Sequence, residues 1–118
     1  MHNLISIAMC SYNGERFIKE QIDSIIAQTY KNFELIIVDD GSKDNTINII
    51  KEYQSKDLRI KLFQNDNNLG FVKNFEKAIS LCSGDFIALA DQDDVWKKNK
   101  LEVFLKNING NMLIYSDA

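Results

Sequence analysis

Three carboxylates fall within four positions in "FIALADQDDVW", residues 86–96: Asp91, Asp93 and Asp94 follow directly on an apolar run. Two unit charges about 4 Å apart repel by roughly 4 kcal/mol at an effective dielectric of about 20. Such a cluster therefore calls for solvent, a helix end or a cation. One helix start has a use for Asp94 as its cap, but three acids exceed what one helix end can use. An Asp-x-Asp pair after a strand presents the hard oxygen ligands that Mg²⁺ or Mn²⁺ takes, with phosphate oxygens completing the shell. On its own that pair is a generic signal. A second acidic pair, Asp39 and Asp40, lies in "VDDGS" (38–42). A tight turn explains one of the two, through bonds from its backbone amides. The other could accept hydrogen bonds from a nucleobase N–H or a ribose hydroxyl. "KKNK" (97–100) reads as a solvated helix start that could also lend positive charge near phosphates.

These residues need a frame to hold them, and the apolar pattern supplies one. "LISIAMC" (4–10), "NFELIIVDD" (32–40) and "DFIALA" (85–90) are short apolar runs, expected to be buried strands. "RIKLFQ" (59–64) alternates, as a strand nearer an edge would, and "MLIYS" (112–116) is a fifth strand. Between them, apolar residues recur at helical spacing: Ile18, Ile22, Ile25 and Ile26; Ile47, Ile50 and Tyr53 behind a cap at Asp44; Phe71, Phe75, Ala78, Ile79 and Cys82; and Leu101, Phe104, Leu105 and Ile108. Asn13-Gly14 marks a turn after the first strand. The order β-α-β-α-β-α-β-α-β predicts an α/β fold with right-handed crossovers: a Rossmann-like, three-layer α/β/α arrangement around a mainly parallel sheet. Ligands of such sheets bind outside the carboxyl ends of the strands. The chemistry-bearing segments all follow strands. They are Ser11-Tyr12-Asn13, Asp39-Asp40-Gly41-Ser42, "NDNNLG" (65–70), "DQDD" (91–94) and Ser116-Asp117. The returning connections are blander.

Composition narrows the classes. The 118 residues are 45% hydrophobic and 26% charged, enough for one domain over 1–118 with one core. A net charge of −3 argues against a broad nucleic-acid-binding surface. The single histidine, His2, is at the terminus, so a histidine-based triad has no base. Cys10 and Cys82 lack metal-ligand spacing and read as reduced thiols of a cytosolic protein. No apolar run approaches the roughly 20 residues of a membrane span. The five glycines fit neither G-x-G-x-x-G nor the Walker A loop.

Taken in order, "SYNGE", "QTY", "VDDGS" with "DNT", "NNLGFVKNFEKAI" and "DQDDVW" resemble the opening half of the family 2 glycosyltransferases, which have the GT-A fold. The resemblance covers essentially the whole chain. It implies transfer of a sugar from a nucleotide-diphosphate sugar, a UDP- or dTDP-sugar, to a saccharide or lipid-linked acceptor, in bacterial cell-surface polysaccharide synthesis. It implies that the segment from Cys10 to Asn13 passes under the base with Tyr12 near it, and that Asp40 bonds to the pyrimidine. Lys73 would face the donor, Asp91 would reach the ribose side, and Gln92 would join the nucleotide-sugar contacts. Asp93, with Asp91, would bind Mn²⁺ or Mg²⁺ on the diphosphate. A bound cation and diphosphate would then turn the repulsion among these acids into shared attraction. Cys10 stands where many members have threonine, and Lys73 where many have arginine.

The resemblance further implies a GT-A domain truncated after its fifth strand, with the catalytic base beyond residue 118 and so no catalytic residue to assign here. The expected location is cytoplasmic, or peripheral at the inner face of the membrane. An unpaired fifth strand would favour self-association. Three other readings compete. A receiver domain would carry its acid pair after the first strand rather than the second. A nucleotidyltransferase would bring a glycine-rich basic loop where "CSYNGER" has one glycine and one arginine. A non-catalytic nucleotide-binding module would bind donor without transfer.

Overall fold

The computed structural model describes residues 3–90 and 95–107, and the backbone of 113–115. Among the described residues nine elements follow one another: β1 (Ile5–Ser11), α1 (Ile18–Ile26), β2 (Phe33–Asp39), α2 (Thr46–Lys56), β3 (Ile60–Gln64), α3 (Phe71–Ser80), β4 (Phe86–Ala90), α4 (Lys100–Lys106) and β5 (Leu113–Tyr115). This is the alternation expected from the sequence, with boundaries within two residues for every strand. The five strands form one sheet in the order β3-β2-β1-β4-β5, and every pairing is parallel. β3 lies at an edge, as its alternating sequence predicts.

The period-two alternation of each strand divides the core in two. Ile5, Ile7 and Met9 of β1, with Leu35 and Ile37 of β2, face Ile18, Ile22 and Ile25 of α1, Ile50 of α2, and Leu101 and Phe104 of α4. Ala8, Ile36 and Val38 point the other way, onto Ala78 of α3, with Phe63, Ile79, Ile87 and Leu89 packed around them. β2 is buried at all seven positions because helices cover both of its faces.

The chain steps from β1 to β2 to β3 in one direction, and then crosses back over β1 to reach β4. A right-handed crossover in the reversed direction needs its helix on the opposite face, and α3 is there. α4 departs from the rule. It lies on the α1 face although β5 continues in the reversed direction, so its connection is opposite in hand to the first two. Leu101 and Phe104 are drawn to the larger core, where the Phe104 ring meets Phe86 edge-on at 6.5 Å.

The expectation for α3 needs correcting. Phe71 does not line its buried face: it is 66% exposed and stacks edge-on against Phe75 at 4.9 Å. The positions that α3 buries are Asn74 and Ala78. Ile108, expected to continue the face of α4, lies outside the described residues.

Candidate functional site

The switch in strand direction falls between β1 and β4, and the polar segments gather at the carboxyl ends of the strands around it. Register brings Ser11 opposite Asp39, Asp39 opposite Gln64, and Met9 opposite Ala90.

The two acids of "VDDGS" have separate tasks. The Asp39 carboxylate is fully buried and saturated with donors. Its Oδ1 accepts from the Ser11 hydroxyl (2.7 Å) and the Ser42 hydroxyl (2.5 Å), and its Oδ2 from the Gly41 and Ser42 amides (3.1 and 2.7 Å). This closes the turn after β2. Gly41 takes φ 90° there, in the left-handed region that disfavours any side chain.

Asp40 reaches across to the "NDNNLG" loop. Its Oδ1 accepts from the Leu69 amide (2.7 Å) and the Asn65 side-chain amide (2.8 Å), and its Oδ2 from the Gly70 amide (3.0 Å). Its backbone carbonyl accepts from Asn68 (3.0 Å). Burial alone would raise the Asp40 pKa. The Leu69, Asn65 and Gly70 hydrogen bonds and the nearby Lys77 charge outweigh it and hold the carboxyl below its ordinary value. Asp40 is thus an ionised group in the floor of the edge.

The "SYNGE" loop is locked onto the same turn. Asn13 adopts φ 48°, a left-handed conformation that asparagine tolerates better than most residues. Its amide donates to Ser42 Oγ (2.8 Å), and its side-chain carbonyl accepts from the Lys43 amide (2.8 Å). The Gly14 amide donates to Thr46 Oγ1 (2.8 Å), and the Glu15 amide to Asp44 Oδ2 (3.2 Å). Asp44 also accepts from the Thr46 amide (3.0 Å) and hydroxyl (2.5 Å). The cap position of α2 falls to Asn45, with no side-chain cap bond, rather than to Asp44 as expected; Asp44, one residue earlier, instead holds the first loop against the start of α2.

Cys10, Tyr12, Asn13 and Asp40 are in this way brought to one edge. Cys10 is half-buried near the end of β1, and the Tyr12 ring is half-exposed just beyond it. Lys73 is exposed in the first turn of α3, directly after the loop that Asp40 holds. Asp91, Gln92, Asp93 and Asp94 lie outside the described residues. Among the described residues, no group of three or more His, Cys, Asp or Glu side chains is placed to hold a metal ion. Cys82 carries a free thiol that burial pushes up to about 11.

Sequence reasoning placed Ser11, Ser42 and Asn65 in the polar segments without a task for any of them, and missed Asn74. Ser11 and Ser42 complete Asp39. Asn65 (8% exposed) and Asn74 (2% exposed) lie behind Asp40. The overlooked signal was Asn74 itself, an amide set on the face where α3 buries Ala78.

Comparison with known proteins fits this frame. The glycosyl transferase family 2 model matches residues 6–116. Escherichia coli WfgD, a UDP-Glc:alpha-D-GlcNAc-diphosphoundecaprenol beta-1,3-glucosyltransferase, is 45% identical over 100 residues, which are 85% of this chain and 39% of that protein. Bacillus subtilis TuaG, a putative teichuronic acid biosynthesis glycosyltransferase, is 37% identical over 99 residues, which are 84% of this chain and 39% of TuaG. The crystal structure of S. aureus TarS 1–349 in complex with UDP superposes with a TM-score of 0.80 at 31% identity, covering 86% of this chain and 31% of that one. The chain thus spans between about a third and two-fifths of the length of these relatives. With the motifs in order, the fold matched and nearly the whole sequence covered, the chain belongs to glycosyl transferase family 2.

Proposed function

We propose that the chain is the donor-binding part of a glycosyltransferase that uses a nucleotide-diphosphate sugar in the assembly of a bacterial cell-surface polysaccharide. The single observation that carries this reading is the Asp40 edge. An ionised, buried carboxylate stands at the carboxyl edge of a parallel sheet, after the strand next to the switch point, in a chain that superposes on a UDP-bound relative. TarS has also been crystallised with UDP-GlcNAc. WfgD is named for transfer to a diphosphoundecaprenol-linked saccharide, and TuaG for teichuronic acid biosynthesis.

In this reading Asp40 accepts from the base, while the segment from Cys10 to Asn13 runs beneath it. Tyr12 offers a ring face, and Lys73 a cation toward the diphosphate. Asp91 and Asp93 would hold Mn²⁺ or Mg²⁺, since carboxylate oxygens are the hard ligands these ions take. Such an ion would neutralise charge on the departing diphosphate. Transfer joins an acceptor hydroxyl oxygen to the anomeric carbon, breaks the bond from that carbon to the diphosphate, and passes the hydroxyl proton to a base. We assign no residue of this chain as that base. The donor is made in the cytoplasm, so we place the site on the cytoplasmic side. Among the described residues no helix is long and apolar enough to cross a membrane.

Calorimetric titration of UDP with and without Mn²⁺ tests the reading on the wild type, Asp40→Asn and Asp93→Ala. The wild type should bind more tightly with Mn²⁺. Asp93→Ala should lose that gain, and Asp40→Asn should weaken binding by roughly 1–3 kcal/mol, the usual cost of an unsatisfied buried polar partner. Equal affinity in every arm would refute it.

A further inference from the structure

Behind Asp40 runs a chain of side-chain hydrogen bonds that the donor contacts alone do not require. Lys77 Nζ donates to Asn65 Oδ1 at 2.7 Å. Asn65 Nδ2 donates to Asp40 Oδ1 at 2.8 Å and to Asn74 Oδ1 at 2.7 Å. Asn74 Nδ2 donates to the Val38 carbonyl at 2.9 Å. The polarity of every link is forced. Lysine can only donate, so Asn65 must turn its oxygen toward Lys77 and its amide protons toward Asp40 and Asn74. The Val38 carbonyl can only accept, so Asn74 must turn its protons there and its oxygen back to Asn65. Both amides are therefore fixed in orientation, and the output of the chain is a donor held on Asp40.

Stability alone does not account for this choice. α3 buries few positions, and one of them goes to an amide while Phe71 and Val72 stand 66% and 67% exposed. A helix packed only for stability would bury the apolar residues and expose the amide. Lys73 and Lys77 are also one turn apart, on the same side of α3. Lys73 is at the exposed start of the helix, and Lys77 reaches inward to Asn65.

We propose that Lys77, Asn65 and Asn74 are positioning residues for the nucleotide-sugar donor. They lock the Asp40 carboxylate and the 65–70 loop in the arrangement that receives the base. The inference rests on the donor-site reading above and deepens it. It makes Asp40 a group aimed from behind, and it gives the two lysines of α3 different tasks.

The test measures UDP affinity, thermal stability and amide exchange at Leu69 and Gly70, whose N–H groups bond to Asp40. Lys77→Met should bind UDP about tenfold more weakly, the scale of one charge-assisted hydrogen bond, with little change in melting temperature. Its Leu69 and Gly70 amides should exchange faster without ligand. Lys77→Arg should restore most of the affinity. Asn74→Leu, close in volume and apolar, leaves the Val38 carbonyl and one Asn65 N–H without this partner, so it should melt below the wild type and lose more affinity than that loss of stability accounts for. Lys51→Met, on exposed α2, controls for loss of a charge. If Lys77→Met does not fold, Lys77→Gln takes its place with the same expectation. If the wild type binds UDP and the Lys77 and Asn74 variants bind it equally well, the positioning role is wrong and the donor-site reading stands. If affinity falls only in proportion to stability, the residues are structural and the proposal is overturned. If the wild type binds no nucleoside diphosphate, the donor-site reading falls and this proposal falls with it.

Discussion

β2 buries Glu34 near its amino end and Asp39 at its carboxyl end with Asp40 directly after it, and Glu34 and Asp40 are used differently. Glu34, near the amino end, accepts from the Ser6 hydroxyl (2.5 Å), the Ser83 amide and hydroxyl (2.7 and 2.9 Å) and Lys61 (3.1 Å). Ser6 Oγ in turn accepts from the Gly84 amide (2.7 Å). The approach is so close that a Cβ on Gly84 would meet Ser6 Oγ at 2.6 Å. This cluster ties β1, β2, β3 and the turn before β4 together. At the carboxyl end, Asp40 accepts from the amides just before α3, as Glu34 accepts from the amide just after it. One strand thus grips one helix from both ends. The Glu34 end is closed on itself, with donors from three parts of the chain. The Asp40 end is bordered by the half-exposed Tyr12 and the exposed Lys73. The two carboxylates are themselves about equally buried, at 4% and 5% exposed, so the ends differ in the residues that border them.

The largest effect should come from Asp39, the saturated neighbour of Asp40. Asp39→Asn turns two of four inward donors against an amide N–H₂. Chemical denaturation should show a loss of about 3–4 kcal/mol, more than Asp40→Asn loses. If Asp39→Asn instead abolishes UDP binding at unchanged stability, the roles of the two acids are exchanged.

Glu34 sharpens the contrast between the ends. Burial alone would raise its pKa, but the Ser6, Ser83 and Lys61 bonds bring it down from 4.5 to about 2. A carboxyl lowered on folding stabilises fully above its unfolded value and loses that contribution as pH falls through the folded one. The Glu34 share, about 3 kcal/mol by linkage, is therefore complete above about pH 4.5 and gone below about pH 2. Glu34→Gln should lose roughly 2–3 kcal/mol at neutral pH and flatten stability across that acid window, with UDP affinity intact. A change in affinity without a change in stability would erase the distinction between the ends.

The sequence made the holding frame easier to read than the holding contacts. Continuous apolar runs at 4–10 and 32–40 announce strands covered on both faces, because burial on both sides removes alternation. The edge was legible too, since turn-forming and acidic residues follow every strand. The partners of the acids were not. Glu34 sits inside an apolar run and reads as one polar residue in a strand, and its donors are 28 and 49 residues away. Asn65 and Asn74 look like loop and helix surface until β2 and α3 are packed. Phe71 misled for the same reason: helical periodicity finds an apolar stripe but does not say which side of it the sheet takes.

The smallest effect should come from Lys61, and the reason separates charge pairing from hydrogen-bond satisfaction. Its ammonium lies 3.1 Å from Glu34, but the lysine side chain is 52% exposed and that of Glu34 only 6%. Water already screens the cation, so its share of the pair is small. Lys61→Met leaves the Ser6 and Ser83 donors in place, and the glutamate stays ionised among them. Denaturation at neutral pH should therefore change by only about 0.5 kcal/mol, and raising the salt concentration should remove most of that difference. A loss as large as that of Glu34→Gln would mean that the lysine charge, rather than the ring of serine and amide donors, holds the amino end together. The amino end of β2 would then depend on a lysine as the carboxyl end is proposed to depend on Lys77.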